Sequence, residues 1–324
     1  MQDVTDLAFM GLVARRSPPD FFVTEYFRVY AGSRLDPEIL RSITENDTGR
    51  PVFAQLIGES IPECCRIIGE LYRYAIAGID LNLGCPAPRV YRKQVGGGLL
   101  REPEVVDRLL GSLREAIPTR FTVKMRLGFE DTRHFETLIG LMAKHCVDQV
   151  TIHGRTVRDR YQGPVQYGLI GEAVARLPCP VLVNGDVISP MQAVRVQQQT
   201  GAAGVMIGRG AVRNPWIFGQ IRQVLGGDIP KPVPLSEVYT YIRELYGVIA
   251  RPGSTELNRV NALKKYLNFI GLGLDGDGAF LRQVRPVKTQ EQLWQVCDQF
   301  LTGDRVLPWE PSPPSVSTSA LISV

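Results

Sequence analysis

The sequence predicts an α/β fold of the TIM (β/α)8-barrel class, with its first strand largely missing, followed by a small all-α domain. Three observations predict it. Seven short runs rich in β-branched residues alternate with amphipathic stretches along residues 1–226, the pattern of repeated βαβ units. Each run stays almost continuously apolar until polar residues and glycines arrive at its C-terminal end, as in parallel strands buried on both faces. The alternation stops at GGDIPKPVP (226–234), whose three prolines and two glycines mark a linker.

Taken in order, the chain opens MQDVTDLAF, where Thr5 or Asp6 is placed to cap a helix at once. A first strand would therefore have to end near Met1. The strand runs are FFVTEYF (21–27), PVFAQLIG (51–58), GIDLNLGCP (78–86), RFTVKMRLG (120–128), QVTIHGRT (149–156), CPVLVNGDV (179–187) and GVMIGRGAV (204–212). Between them lie stretches such as EVVDRLLGSLREAI (104–117), apolar at helical spacing. A doubly wound open sheet is the alternative; polar groups and glycines at every strand's C-terminal end favour the barrel, which builds its site there. Residues 1–226 are thus the expected catalytic barrel and 227–235 the linker. Three helices, SEVYTYIRELYGVIA (236–250), ELNRVNALKKYLNFI (256–270) and QEQLWQVCDQFLT (290–302), make an expected helical domain over 236–303. Ser236 is the expected cap of the first, with Tyr239 at N3 and hence no capping box. The Pro/Ser-rich end, 304–324, reads as a disordered tail.

Composition narrows the class. The 324 residues are 44% apolar and 22% charged, which excludes collagen, coiled-coil and disulfide-scaffold proteins. No apolar run approaches the about 18 residues of a membrane span, and no signal peptide opens the chain. Six cysteines show no CxxC pair and no metal spacing with His134, His145 or His153. A soluble, cytoplasmic, metal-free monomer with reduced thiols is expected. The net charge of +4 is too mild to indicate a polyanionic partner by itself.

The strand ends carry the chemistry. Gln55, Asn82, Lys124, Arg126, His153, Arg155, Asn184, Asp186 and Arg209 all stand at or near them. Each alone reads as a satisfied polar group. So many at equivalent places must converge on something polar, because burial without partners costs several kcal/mol each, on the order of 2–7. VNGD and IGRG, on the last two strands, form the usual phosphate corner of such barrels. There Gly208 lets the backbone approach a phosphate and Arg209 neutralises it. Lys124 and Gln55 offer donors to a flat ring with carbonyl and N1-type acceptors, where a cation stabilises a reduced flavin. FMN fits better than a dinucleotide, since no strand is followed by GxGxxG.

Cys85 stands apart from the other thiols. It lies between Gly84 and Pro86 at a strand end, followed by Arg89, Arg92, Lys93 and Arg101. Positive surroundings tune a thiol's acidity, and a thiol can serve as a general acid. The alternative is an inert cysteine. The same basic loop with GGG (96–98), and RTVRDRY (155–161) with its three arginines and Tyr161, suit a polyanion bearing a flipped-out base; solvated surface loops are the plainer reading.

At these residues the chain resembles the tRNA-dihydrouridine synthase family. The motifs are MQDVTD (1–6), TEYFRV (24–29), DLNLGCPAPRVYRKQVGGGLL (80–100), VKMRLG (123–128), IHGRT (152–156), NGD (184–186) and IGRGA (207–211). TEYFRV and GGGLL are most similar to the bacterial C-type branch, which acts on position 16 of the D-loop. The resemblance implies an FMN-holding TIM barrel and a helical tRNA-binding domain. NADPH reduces the flavin, hydride passes to C6 of a flipped-out uridine, and Cys85 protonates C5. It places FMN against Gln55, Lys124, His153, Asn184, Gly185, Asp186, Gly208 and Arg209. Asn82 and Tyr161 fall to the target nucleotide or its neighbours, and Arg126 and Arg155 to the same substrate side. Arg28, Lys264 and Lys265 fall to tRNA.

One departure is plain. Family members open with a strand ending Ala-Pro-Met that touches the flavin, and only Met1 remains of it here. A start upstream of Met1 is the expected explanation; a chain truly beginning there would hold FMN weakly. Two alternatives stay open: a flavin-barrel reductase of a free pyrimidine, like dihydroorotate dehydrogenase, and a non-catalytic RNA-binding protein.

Overall fold

The computed structural model describes residues 4–249 and 253–311. Its frame is a curled sheet of parallel strands. β1 (Phe22–Val23) and β2 (Phe27–Arg28) both pair with β3 (Val52–Ile57). The sheet continues through β4 (Gly78–Leu83), β5 (Arg120–Arg126), β6 (Gln149–His153), β7 (Val181–Asn184) and β8 (Gly204–Val205) in chain order. Every residue of β3 and β4 is buried, as their apolar runs require. Among the described residues β1 and β8 form the two sheet edges and no strand joins them. Met1 lies outside the described residues.

FFVTEYF does not form one strand. Val23 pairs with Phe53 and Phe27 with Leu56, so four steps on one strand meet three on the other. That is a bulge. Thr24 bridges it, its Oγ1 accepting the Gln55 N–H at 3.0 Å, while Glu25 turns away to accept the Val4 and Thr5 N–H groups at 2.9 and 3.1 Å.

The helices pack outside the sheet. α1 (Leu7–Arg16) is capped by Asp6, which accepts the Phe9 N–H at 3.0 Å; α2 (Pro37–Thr44) and α3 (Ile61–Leu71) follow. After β4 the chain makes the single turn α4 (Pro88–Tyr91) and a 3-10 segment over Gly96–Arg101. α5 (Pro103–Ala116) buries Val106, Leu109, Leu110 and Leu113, the expected apolar stripe. α6 (Phe135–Lys144), α7 (Tyr167–Arg176) and α8 (Pro190–Thr200) complete the βα alternation. The short α9 (Arg209–Arg213) and α10 (Ile217–Leu225) follow β8.

Beyond the proline-rich linker come α11 (Leu235–Val248), α12 (Glu256–Ile270), α13 (Ala279–Val284) and α14 (Gln290–Phe300). α11 starts one residue before Ser236, with Pro234 as its N-cap, so Ser236 caps nothing. One apolar core runs from the sheet into these helices. Arg16 of α1 pairs with Glu244 of α11 at 3.0 Å and covers the Tyr241 ring at 4.9 Å, and Tyr266 of α12 donates to the Val4 carbonyl at 3.0 Å. The expected loose tail is anchored in part, over 307–310. Leu307 is buried, its N–H donates to Val233, and Arg213 donates to the Pro308 carbonyl at 2.8 Å. Residues 312–324 lie outside the described residues.

Candidate active site

Parallel register puts the predicted polar residues on one sheet face, because partners on adjacent strands point the same way and side chains alternate along each strand. Gln55, Asp80 and Thr122 align across β3, β4 and β5. One step further toward the C-terminal ends, Asn82, Lys124 and Thr151 align. The next row is Arg126, His153 and Asn184. The strand ends therefore meet in one place.

A directed hydrogen-bond chain runs through these rows. Asp80 accepts from the Gln55 side-chain amide at 2.7 Å and from Thr122 Oγ1 at 2.6 Å. Gln55 Oε1 accepts from Asn82 Nδ2 at 2.8 Å, and Asn82 Oδ1 accepts the Gly84 N–H at 3.0 Å. An ionised carboxylate only accepts, so Asp80 sets the direction of both amides as far as the residue preceding Cys85. Burial raises the Asp80 pKa, opposed by these two donors and by Lys124. Asp80 was not among the sequence candidates. The signal was present, since Asp80 and Asn82 stand two apart in an otherwise apolar strand and so share a face.

Lys124 makes no side-chain hydrogen bond among the described residues. Burial, then the charge of Arg126, brings its pKa down to about 8, with Asp80 acting against the shift. His153 is buried and its Nδ1 has no hydrogen-bond partner. Burial and the surrounding Arg126, Lys124, Arg155 and Arg209 push its pKa far down, so the ring is neutral.

Cys85 follows at the end of β4, half-buried in a small apolar group with Tyr26, Ile57 and Val90. Burial and the adjacent Cys85 raise the Tyr26 pKa. Arg28 is exposed and lies over the Tyr26 ring, 5.7 Å from its centre. Arg28 and Cys85 thus both adjoin one tyrosine.

Two residues expected on the substrate side have internal partners. Arg126 is 2% exposed and donates to Gly84 O (3.0 Å), Thr156 O (2.8 Å) and Arg160 O (2.6 Å). It fastens the Cys85 loop to the 156–160 loop. Arg155, 3% exposed, donates to Gly163 O and to both Asp186 oxygens. These guanidiniums order loops and are not free surface cations. Lys264 is likewise engaged, donating to the Val287 carbonyl, whereas Lys265 is exposed.

At the last two strands Gly185 has φ +119° and Asp186 φ +48°, a tight turn whose Gly185 carbonyl accepts from Tyr167 at 2.8 Å. Asp186 also accepts from Arg209 at 3.2 Å. A Cβ on Gly210 would lie 2.3 Å from the Val187 carbonyl, so the β7 loop and the start of α9 can pack only through glycine. Asn184 donates to the Met206 carbonyl at 2.8 Å. Tyr161 closes this side. Arg209 lies 4.4 Å and Arg126 5.4 Å from its ring centre, and His153 meets it edge-on.

The groups gathered there are donors or neutral: the Lys124 ammonium, the orphaned His153 nitrogen, and Arg209, held by Asp186 beside Gly208. Such a set fits an anionic, phosphate-bearing cofactor with ring acceptors, and FMN is of that kind. No cluster able to hold a metal ion occurs among the described residues.

A parallel barrel-type sheet with a tight glycine turn beside an arginine, a buried lysine and a thiol at its C-terminal face defines a cofactor-using enzyme of the TIM-barrel class. A model of the dihydrouridine synthase family (Dus) matches residues 1–303. A tRNA-dihydrouridine(16) synthase of Neisseria meningitidis serogroup A is 30% identical over 308 residues, 93% of this chain and 92% of that one. A tRNA-dihydrouridine(16) synthase of Cupriavidus necator is 32% identical over 279 residues, 82% and 86% of the two chains. The tRNA-dihydrouridine synthase B of Klebsiella pneumoniae is 38% identical over 175 residues, 52% and 54%. The chain belongs to the dihydrouridine synthase family, a family of FMN-dependent oxidoreductases.

Proposed function

We propose that this protein reduces the C5–C6 double bond of a D-loop uridine in tRNA, at position 16, with FMN as cofactor and NADPH as reductant. The observation that carries the reading is the convergence of Lys124, His153 and Cys85 at one mouth, with the thiol held where the Asp80–Gln55–Asn82 chain ends. The (16) in the names of both long-matching relatives supports the position. When bound, FMN supplies the hydride that C6 accepts.

The chain's own residues do the rest. Lys124 and Gln55 hold the acceptor edge of the flavin ring, and His153 and Asn184 line it. Gly185, Asp186, Gly208 and Arg209 form the phosphate corner, Asp186 acting by orienting Arg209. Cys85 Sγ–H gives its proton to uracil C5, and Tyr26 shields it from bulk water. Asn82 and Tyr161 confine the target base. Arg28 and Lys265 are the exposed cations retained for tRNA; Arg126 and Arg155 serve by holding the loops around the mouth.

The test is Cys85→Ala. FMN content and NADPH oxidation should persist while dihydrouridine formation collapses by about 10²–10⁴-fold, the usual worth of a general acid. Full tRNA activity in this variant refutes the proton-donor role.

A further inference from the structure

Beside the active-site mouth lies a second, open cleft of about 420 Å³, walled by Tyr91, Phe129 and Val157 and rimmed by Arg101, Arg158 and Arg160. That volume falls within the about 300–1,000 Å³ of small-ligand sites. Tyr91 meets Phe129 edge-on at 5.1 Å, giving the cleft an aromatic wall. Arg101 is spoken for: it covers Phe129 and pairs with Glu130. Asp159 is also occupied, accepting the Thr156 N–H at 3.0 Å. Arg158 and Arg160 are exposed and have no ion pair among the described residues. Two unpaired arginines over an aromatic wall match a phosphodiester with an attached base.

The cleft is mechanically joined to Cys85. Gly97 sits between them; a Cβ there would lie 2.6 Å from Val157 Cγ2 and 2.8 Å from the Cys85 carbonyl. Only a hydrogen fits between cleft wall and thiol loop. Arg126 provides the second link, binding Gly84 O on one side and Thr156 O and Arg160 O on the other.

We propose that this cleft is a subsite for an RNA nucleotide flanking the target uridine, with Arg158 and Arg160 gripping its phosphate and Tyr91, backed by the buried Phe129, facing its base. The proposal deepens the tRNA reading and rests on it. Occupation fixes which nucleotide stands over Cys85, so the cleft contributes to the choice of D-loop position.

The test uses the flavin-loaded enzyme and an in vitro transcribed tRNA, comparing wild type with Arg158→Gln/Arg160→Gln. Both side chains are on the surface, and flavin content reports that the variant folds. The salt dependence of tRNA binding should weaken by about 0.7 in log–log slope for each phosphate no longer neutralised. A transcript with 4-thiouridine beside the target should crosslink to the peptide containing Tyr91. An unchanged slope, or crosslinking only elsewhere, overturns the subsite while wild type still forms dihydrouridine. A wild type that neither binds nor modifies tRNA overturns the underlying reading instead.

Discussion

Asp80→Asn removes a charge from the polar chain while leaving its hydrogen bonds available. The new amide oxygen can keep the bond from Gln55, and its NH2 can meet Thr122 Oγ1, whose proton turns to the Ile79 carbonyl 3.5 Å away. What disappears is the carboxylate that supports the Lys124 cation against burial and against Arg126. Lys124 starts near 8; without a neighbouring opposite charge it falls further. The proposed role of Lys124 requires its cation at the flavin ring, so dihydrouridine formation should decline as pH rises through its pKa. Bound anionic ring raises both variants alike, and the difference between them is the quantity read. The alkaline limb of the rate profile, followed between about pH 6 and pH 10, should move to lower pH in Asp80→Asn. Asp80→Leu separates the other contribution: it orphans the buried Gln55 amide at about 1–3 kcal/mol, which lowers Tm by about 2–4 °C per kcal/mol in a large domain. Coincident alkaline limbs in wild type and Asp80→Asn, together with an unshifted Tm in Asp80→Leu, refute the positioning role.

Two further predictions follow from the same geometry. In flavin-free protein, Lys124 is held at about 8 against an ordinary 10.5, so the unfolded chain binds more protons between those pH values and wild-type stability rises with pH across that window. Compared with Lys124→Met by urea titration, wild type should gain at most about 3 kcal/mol from pH 8 to pH 10.5; a pH-independent difference refutes the depressed lysine. Gly97→Ala should cost about 1–3 kcal/mol by overpacking and slow dihydrouridine formation with flavin content unchanged, because the added Cβ meets the Cys85 carbonyl; wild-type rates would show that the loop yields freely.

The sheet was legible because buried parallel strands must be apolar, and the site was legible because period-2 alternation carries Lys124, His153 and Asn184 to one face. Arg126 and Arg155 were not. An arginine at a strand end reads identically whether it meets phosphate or three carbonyls from loops far away in sequence. The same holds for 304–311, at the head of a Pro/Ser-rich end that reads as loose, while Arg213 and Val233 fasten the segment from a distance. FFVTEYF hid its bulge because Thr24 replaces a ladder bond with its hydroxyl. Lys264 looked like a surface cation, and its partner at Val287 arrives only through the turn before α14.

The central claim is reduction of uridine 16 by way of Cys85. Dihydrouridine mapping in tRNA from a strain lacking this gene, complemented with wild type or with Cys85→Ala, tests it most directly. The account predicts loss of the modification at position 16 alone, restored by wild type and not by the variant. Retention of dihydrouridine 16 in the deletion strain, or loss at another position, would contradict it.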